Sequence, residues 1–350
     1  MSGLQLLRVG DVFAKDFRVL KPLKEGGMGA VYVVEQSSTR ARRALKIRQP
    51  ELVADPKLRA RFQQEAQVGS LIHSEHVVQV LDAGVDAKTG MPWLIMELLE
   101  GVDLEQDLSE KKLDTKWLIY IFEQVCHALA NAHSAGTVHR DLKPENIFLA
   151  RTRRVGSGRM VKILDFGVAK IISESNAATA AVGTPLFMAP EQATSGRIGP
   201  PTDVWALGLI AFRVLTAMYF WKGAYSRAAV FDLASEMFRA PIPKGSARAA
   251  EYGLAGRFPV ALDQWLATCL QRDPALRFQD AASTLTALKA AVAGPSDAAL
   301  ATTEPAPDRV ALAPAPLAPE HPRLVPEAKS SKPRTSRYIS RSWAASWPPL

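Results

Sequence analysis

Cysteine is scarce in this chain of 350 residues: only Cys126 and Cys269 occur, both within apolar, helix-like patterns. Two isolated thiols form no disulfide framework, so we expect a reducing compartment and two packing residues. No uncharged apolar run reaches the roughly 18 residues that cross a bilayer, and no basic segment with an apolar core opens the chain. The sequence therefore predicts a cytoplasmic protein without a membrane span.

Patterns typical of nucleic-acid binding are also lacking. The net charge is +8, but the basic residues are scattered along the chain. No grouping of aromatic and basic residues resembles an RNA-binding or DNA-binding module, and solubility explains the charge more simply. We therefore expect no nucleic-acid partner.

The amino-acid composition of the sequence changes near residue 293. Strand-like and helix-like patterns follow one another from residue 17 to 292, whereas 11 of the 24 prolines fall in residues 293–350. A segment rich in proline and alanine cannot bury enough surface to offset chain entropy. We therefore predict a lead-in over 1–16, one globular domain over 17–292, and a disordered tail with a basic end over 293–350.

Two kinds of periodicity divide the globular part. Alternating segments such as FRVLKPL, AVYVVEQ and RALKI predict strands, and a helical stretch over 55–72 follows them. After Gly101 the patterns become helical, and residues 204–215 are almost wholly apolar, as in a buried helix. The sequence predicts an α+β fold with a β-rich first lobe that has one helix, and an α-rich second lobe.

The most informative run is HRDLKPEN at 139–146, which is followed by a DFG triplet at 165–167. Asp141 can orient a substrate hydroxyl, while Asn146 and Asp165 offer the hard oxygen ligands that Mg²⁺ on ATP requires. An isolated DFG is usually a turn, but the eight-residue run rarely arises by chance. Together the motifs predict phosphoryl transfer from ATP with Mg²⁺ as the metal.

A glycine-rich turn at 25–31 lies between two strand patterns, where missing side chains let backbone N–H groups approach phosphates. These motifs resemble the protein kinase superfamily, in particular its bacterial eukaryotic-like serine/threonine-protein kinases, over residues 17–292. The family pattern is G-x-G-x-x-G-x-V, and here Lys24 replaces its first glycine. The resemblance implies a bilobal protein kinase fold with an N-lobe over 17–96, a hinge over 97–101 and a C-lobe over 102–292.

The resemblance implies a nucleotide site shared by both lobes. Lys46 is expected to contact the α- and β-phosphates, with Glu65 holding it by an ion pair. Met96 takes the gatekeeper position, and the backbones of Glu97 and Leu99 are expected to bond adenine. The full implied ATP-binding set is Leu23, Gly26, Gly27, Gly29, Val31, Ala44, Lys46, Glu65, Met96, Glu97, Leu99, Asp103, Asn146, Phe148 and Asp165, of which Asn146 and Asp165 also bind the metal.

Catalytic and regulatory roles follow from the same resemblance. In the family, a lysine at position 143 marks transfer to serine or threonine, and an arginine at 140 receives a phosphate on the activation segment. Self-activation by phosphorylation is then expected, with Ser173 and Ser175 as alternative acceptors. The implied catalytic residues are Asp141, Lys143 and Lys46, and the implied regulatory residues are Arg140, Thr179 (the preferred phosphosite) and Thr184.

Other matching residues are expected to hold the scaffold. The resemblance implies a buried Glu191–Arg277 ion pair and bonds from the Asp203 carboxylate to the catalytic-loop backbone. Arg213 stands where many kinases have glutamate, which argues against a basic consensus around the acceptor.

The reaction predicted is transfer of the γ-phosphate of Mg-ATP to protein serine or threonine hydroxyls. Protein substrates are the expected partners, and a homodimer for trans-autophosphorylation is left open. A pseudokinase scaffold that binds partners without catalysis stays open as the alternative, and a small-molecule kinase of related fold is a third. The presence of Lys46, Glu65, Asp141, Asn146 and Asp165 disfavours the pseudokinase.

Overall fold

The computed structural model describes ten stretches of the chain: residues 7–14, 16–26, 29–48, 72–86, 90–110, 114–152, 158–166, 186–194, 196–226 and 229–298. All of them belong to the first of two units into which the chain divides, Met1–Thr303. The second unit, Glu304–Leu350, lies outside the described residues. The same holds for the predicted helix at 55–72, apart from residue 72.

The first lobe is a six-stranded antiparallel sheet with the order β1-β2-β3-β4-β6-β5. Alternating apolar side chains face one side of this sheet, where Tyr32, Leu45 and Ile95 are fully buried around Trp93. This burial pattern matches the period-2 pattern of the sequence. The strands are β1 (Val12–Phe13), β2 (Phe17–Gly26), β3 (Gly29–Gln36), β4 (Arg42–Arg48), β5 (Val80–Val85) and β6 (Pro92–Glu97).

A second, three-stranded sheet follows where the chain enters the other lobe. It consists of β7 (Gly101–Asp103), β8 (Ile147–Arg151) and β9 (Arg159–Ile163), in that order. Gly101 has φ +150°, and a Cβ there would lie 2.1 Å from the carbonyl oxygen of Leu149. The close approach of β7 to β8 therefore requires glycine at this position.

The rest of the second lobe is helical. The longest helix is capped by Asp114, whose carboxylate accepts the N–H of Trp117 at 2.9 Å. The apolar run at 204–215 lies in a helix that is buried along almost its whole length and is capped at its C-terminal end by Ala217, which has φ +57°. The helices are α1 (Leu104–Glu110), α2 (Thr115–Ser134), α3 (Pro190–Ala193), α4 (Pro200–Thr216), α5 (Ala229–Phe238), α6 (Gly245–Glu251), α7 (Asp263–Cys269) and α8 (Ala281–Ala298), and 3-10 turns lie at Pro144–Asn146, Lys222–Tyr225, Val260–Leu262 and Pro274–Leu276.

The predicted α+β architecture, with a strand-rich first lobe and a helical second lobe, is confirmed. Within the span of α8, Gly294 has non-helical angles (φ 74°, ψ 172°), so a kink close to the predicted end of the globular part separates two helical segments, the second of which ends at Ala298. Cys126 and Cys269 are buried and unpaired by any disulfide, and burial raises the pKa of both thiols. Across the described stretches, every helix falls short of the length and apolarity needed to span a membrane.

Backbone hydrogen bonds join the first lobe to β9. Val77 forms a parallel bridge with Ile163. The N–H of Ile163 donates to His76 O at 2.8 Å, and the N–H of Val78 donates to Ile163 O at 3.0 Å. Because β9 leads directly to Asp165, this contact ties the first lobe to a predicted site residue.

Candidate active site

One buried carboxylate holds the backbone of the catalytic loop. Asp203, near the start of α4, is 1% exposed and accepts the N–H groups of His139 and Arg140, each at 2.9 Å. The Nε2 of His133 lies 2.8 Å from the same carboxylate. The predicted bonds from Asp203 to this loop are therefore confirmed.

Two predicted site residues have unusual backbone angles. Arg140 has φ +68° and Asp165 has φ +59°, a left-handed region that disfavours residues with a Cβ. Such strain persists where the surroundings fix the backbone, and it is concentrated at functional sites. At Arg140 both backbone groups are fixed, because Asp203 accepts its N–H and the side chain of Gln192 donates to its carbonyl at 2.7 Å.

Three predicted catalytic-loop side chains converge. The Lys143 ammonium lies 2.9 and 3.2 Å from the two carboxylate oxygens of Asp141. The amide nitrogen of Asn146 donates to the carbonyl of Asp141 at 2.7 Å and to its carboxylate at 3.1 Å. Since Asp141 and Lys143 are 42% and 36% exposed, this cluster lies at an accessible surface where a substrate hydroxyl can approach.

Lys46 and Asp165 meet across the two lobes. The Nζ of Lys46, in the middle of β4, lies 2.5 Å from Oδ2 of Asp165. The two side chains are only 16% and 27% exposed, so the ion pair lies in a protected cleft. The expected Lys46–Glu65 ion pair involves a residue outside the described part of the chain.

The backbone next to Asp165 is anchored to the catalytic loop. Leu164 donates its N–H to Asn146 O at 2.8 Å, and its carbonyl lies 2.9 Å from Nε2 of the fully buried His139. The ring of Phe166 packs edge-on against His139 at 4.7 Å. These contacts place Asn146 and Asp165 in neighbouring positions.

The donor chemistry of Asn146 and Asp165 fits a magnesium ion held largely by a nucleotide. The amide nitrogen of Asn146 is occupied by Asp141, which leaves its amide oxygen as the ligand atom. Among the described residues, no group of three or more His, Cys, Asp or Glu side chains is arranged to hold a metal. A site with few protein ligands is what Mg²⁺ needs when substrate phosphates complete its coordination.

The glycine-rich turn joins β2 to β3. Gly26 pairs with Gly29, which has φ +150°, and Gly27 lies outside the described residues. Lys24, which replaces the family's first glycine, pairs with Val31 just after a register shift in β2. Val31 in turn pairs with Lys46 on β4, so the turn and the lysine share one sheet.

The predicted adenine-side residues lie on neighbouring strands. Ala44 of β4 pairs with Met96 of β6, and Glu97 ends that strand. Leu99 is half-buried between β6 and β7, while Leu23 on β2 is exposed.

The predicted ribose and pocket-floor residues form a cross-strand pair, Asp103 with Phe148, in the second sheet. Asp103 also accepts the N–H of Gln106 at 2.9 Å, which caps α1. The carboxylate therefore already has a structural role.

The predicted regulatory residues are only partly described. Thr179 and Thr184 lie outside the described residues, as do the alternative acceptors Ser173 and Ser175. Gln192, which holds the Arg140 carbonyl, was not identified from the sequence. An ordinary glutamine beside Glu191 gives no local signal of this contact.

The expected scaffold ion pair is confirmed. The two terminal guanidinium nitrogens of Arg277 each lie 2.8 Å from a carboxylate oxygen of Glu191, and both residues are buried. Arg213 has a partner that the sequence did not suggest: its guanidinium pairs with Glu105 of α1 and lies over the ring of Tyr219, 4.3 Å from the centroid.

Comparisons with known proteins agree with this geometry. Residues 17–288 match the family model described as protein kinase domain. The chain is 37% identical over 280 residues to the serine/threonine-protein kinase Pkn1 of Myxococcus xanthus, which covers 79% of this chain and 38% of Pkn1. It is 32% identical over 291 residues to the serine/threonine-protein kinase PknJ of Mycobacterium tuberculosis, which covers 82% of this chain and 47% of PknJ. The chain thus spans less than half the length of either relative.

Comparison with solved structures also identifies a protein kinase fold. The kinase domain of M. tuberculosis PknI is 25% identical, with a TM-score of 0.64, and the match covers 83% of this chain and 100% of that structure. The predicted bilobal protein kinase fold is therefore confirmed. From the matched family model and the arrangement of its motifs, the chain belongs to the protein kinase domain family.

Proposed function

We propose that this chain transfers the γ-phosphate of ATP to serine or threonine hydroxyls of proteins. The observation that carries the proposal is the convergence of Asp141, Lys143 and Asn146 in one accessible cluster, joined through Leu164 to the Lys46–Asp165 pair. Phosphoryl transfer has a loose transition state, so positioned charge and alignment provide most of the catalysis. The naming of the relatives as serine/threonine-protein kinases supports the acceptor class.

Each polar side chain has a defined task in this proposal. The Asp141 carboxylate accepts the hydrogen bond of the attacking hydroxyl, and Lys143 places its positive charge beside the transferred phosphate. Lys46 binds phosphate oxygens and keeps Asp165 oriented. Asn146 and Asp165 are the residues that hold Mg²⁺, which supplies charge neutralisation on the phosphates when it is bound.

The test compares the wild type with Asp141→Asn in a phosphotransfer assay using Mg-ATP and a serine- and threonine-containing peptide library. Loss of the carboxylate charge and of one of its two acceptor oxygens should lower kcat by about 100-fold or more and leave ATP affinity within about threefold. Asp273→Asn, at an exposed 3-10 cap, is the matched control and should retain full activity. An unchanged rate in Asp141→Asn would refute the assigned role, and a wild type that binds ATP without transfer would establish the pseudokinase.

Activation-segment phosphorylation is part of the same proposal, with Thr179 as the preferred acceptor. Arg140 supports it because its backbone is fixed on both sides, which holds a cationic residue next to Asp141. Mass spectrometry after incubation with Mg-ATP should find phosphate within residues 168–188. If the rate per molecule rises with protein concentration, one copy phosphorylates another; phosphate found nowhere on the segment would contradict self-activation.

A further inference from the structure

Lys162 is a buried lysine whose ammonium joins three parts of the fold. It lies on β9, its side chain is 10% exposed, and its Nζ is 2.7 Å from Oε1 of Glu97. The same nitrogen lies 3.4 Å from the carbonyl of Val77. Because a buried charge is costly unless it is paired, these contacts determine where the side chain can lie.

The carboxylate that receives Lys162 is itself held by the first lobe. Oε1 of Glu97 also accepts the backbone N–H of Gln79 at 2.9 Å, while the N–H of Glu97 donates to Gln79 O at 3.0 Å. One carboxylate oxygen therefore connects the end of β6, the residue that precedes β5, and a strand of the second sheet.

This ion pair lies between the two ends of the proposed nucleotide site. Glu97 begins the hinge, whose backbone is proposed to bond adenine. Lys162 pairs across the sheet with Phe148, the proposed pocket floor, and lies three residues before Asp165, the proposed metal ligand. The separation of the adenine and phosphate ends thus depends on how the hinge is joined to β9.

On its outer side, among the described residues, this connection borders open space. A cavity of about 330 Å³ adjoins the pair and is lined by Gln79, Glu97 and Lys162 together with residues 72–75, 77, 78 and 80. Within the part of the chain that the structure describes, the hydrogen-bonded charges of Lys162 and Glu97 are therefore the contact that joins the end of β6 to β9 beside this cavity.

We propose that Lys162 is a positioning residue for the nucleotide. It holds the hinge and Asp165 at the separation that lets one ATP molecule reach both. This inference rests on the proposed ATP-dependent function. A preformed separation lowers the cost of binding a ligand with two anchored ends, whereas a ligand that uses only the adenine end gains nothing from it.

The test measures dissociation constants for Mg-ATP and for adenosine with Lys162→Met. Mg-ATP should bind about tenfold more weakly, whereas the dissociation constant of adenosine should rise by less than about twofold. Lys162→Arg, which keeps the charge, should stay within about threefold of wild type for both ligands. Lys289→Met removes an exposed lysine that pairs with Glu123 at 2.6 Å, and as the matched control it should change neither constant.

Glu97→Gln provides a second route if Lys162→Met fails to fold. This variant keeps an oxygen acceptor for the Gln79 N–H but removes the charge. It should weaken the binding of Mg-ATP by about threefold and leave the binding of adenosine unchanged. Equal weakening of both ligands, or no change in either, would overturn the positioning role while leaving the proposed function standing. A wild type that binds adenosine but not Mg-ATP would overturn both.

Discussion

The carboxylate of Asp203 accepts the N–H of Arg140 at 2.9 Å, and Arg140 has φ +68°. A strained backbone next to the proposed catalytic aspartate is therefore held by a side chain of the buried helix α4. The same carboxylate also binds the N–H of His139. Its role can be separated from that of Asp141, because Asp203 is buried away from the substrate surface.

Asp203→Asn should reduce both stability and phosphotransfer. An amide has one acceptor oxygen, and its NH₂ group would face backbone donors, so at least one buried N–H loses its partner at about 1–3 kcal/mol. We expect the free energy of unfolding to fall by that amount in urea titrations and kcat to fall at least tenfold. Asp273→Asn should change neither quantity, and a stable Asp203→Asn with full kcat would show that the loop keeps its shape unaided.

The Glu191–Arg277 pair should be far more sensitive than an exposed pair of the same type. Arg277→Met leaves the buried Glu191 carboxylate with only Thr202 as a hydrogen-bond donor among the described side chains, which typically costs about 3–5 kcal/mol. Arg40→Met breaks a surface pair with Glu35 and should cost less than about 1 kcal/mol. Both values come from denaturant unfolding, and equal losses would mean that burial does not determine the cost.

Gly101→Ala should disturb the junction between the lobes. The added Cβ would lie 2.1 Å from the carbonyl of Leu149, so β7 must move away from β8. We expect a loss of more than about 2 kcal/mol, because a clash with the Leu149 backbone adds to the cost of an unfavourable φ. Gly136→Ala is the matched control: its φ is +72° with nothing within 4 Å of the new Cβ, so it should show the backbone cost alone.

His76 should make stability depend on pH. Its pKa is lowered chiefly by burial. Val161 O, 3.1 Å from Nδ1, and the nearby Glu75 partly oppose this shift, while His127 and Lys162 add to it. A lowered folded-state pKa means that the unfolded chain binds the proton more tightly. Stability is therefore complete above the ordinary pKa of about 6.5 and declines as the pH falls towards the folded-state value.

The matching variant is His76→Gln, which retains a donor for Val161 O but does not titrate. Between pH 7.5 and 5.5 its free energy of unfolding should fall less than that of the wild type. If the free energy of unfolding fell equally with pH in the two proteins, His76 would contribute nothing to the loss of stability in acid.

The features that depend on local sequence patterns could be predicted from the sequence alone. Alternation located the strands, and the HRDLKPEN run located Asp141 and Asn146, because a contiguous motif carries its own spacing. The Lys46–Asp165 contact joins residues far apart in sequence, and neither strand period nor charge suggests it. Only the family resemblance placed both residues at one nucleotide.

Contacts between ordinary residues could not be predicted in this way. The Glu97–Lys162 pair, the Gln192 bond to Arg140 and the Arg213–Glu105 pair each join side chains that are usually solvated. Their partners are determined by how the lobes and helices pack, and the packing was not accessible from one sequence. Arg213 shows the consequence: its sequence position argued against a basic consensus around the acceptor but gave no sign of the pair that its guanidinium forms with Glu105.

The bridge between Val77 and Ile163 affects how the protein should behave after proteolytic cleavage between its lobes. Cleavage of the chain at residues 98–100 would break the covalent link between the two lobes. The backbone hydrogen bonds of His76 and Val78 to Ile163 would still join the two fragments. The nicked protein should consequently run as one species in native size-exclusion chromatography, which limited proteolysis at residues 98–100 would test.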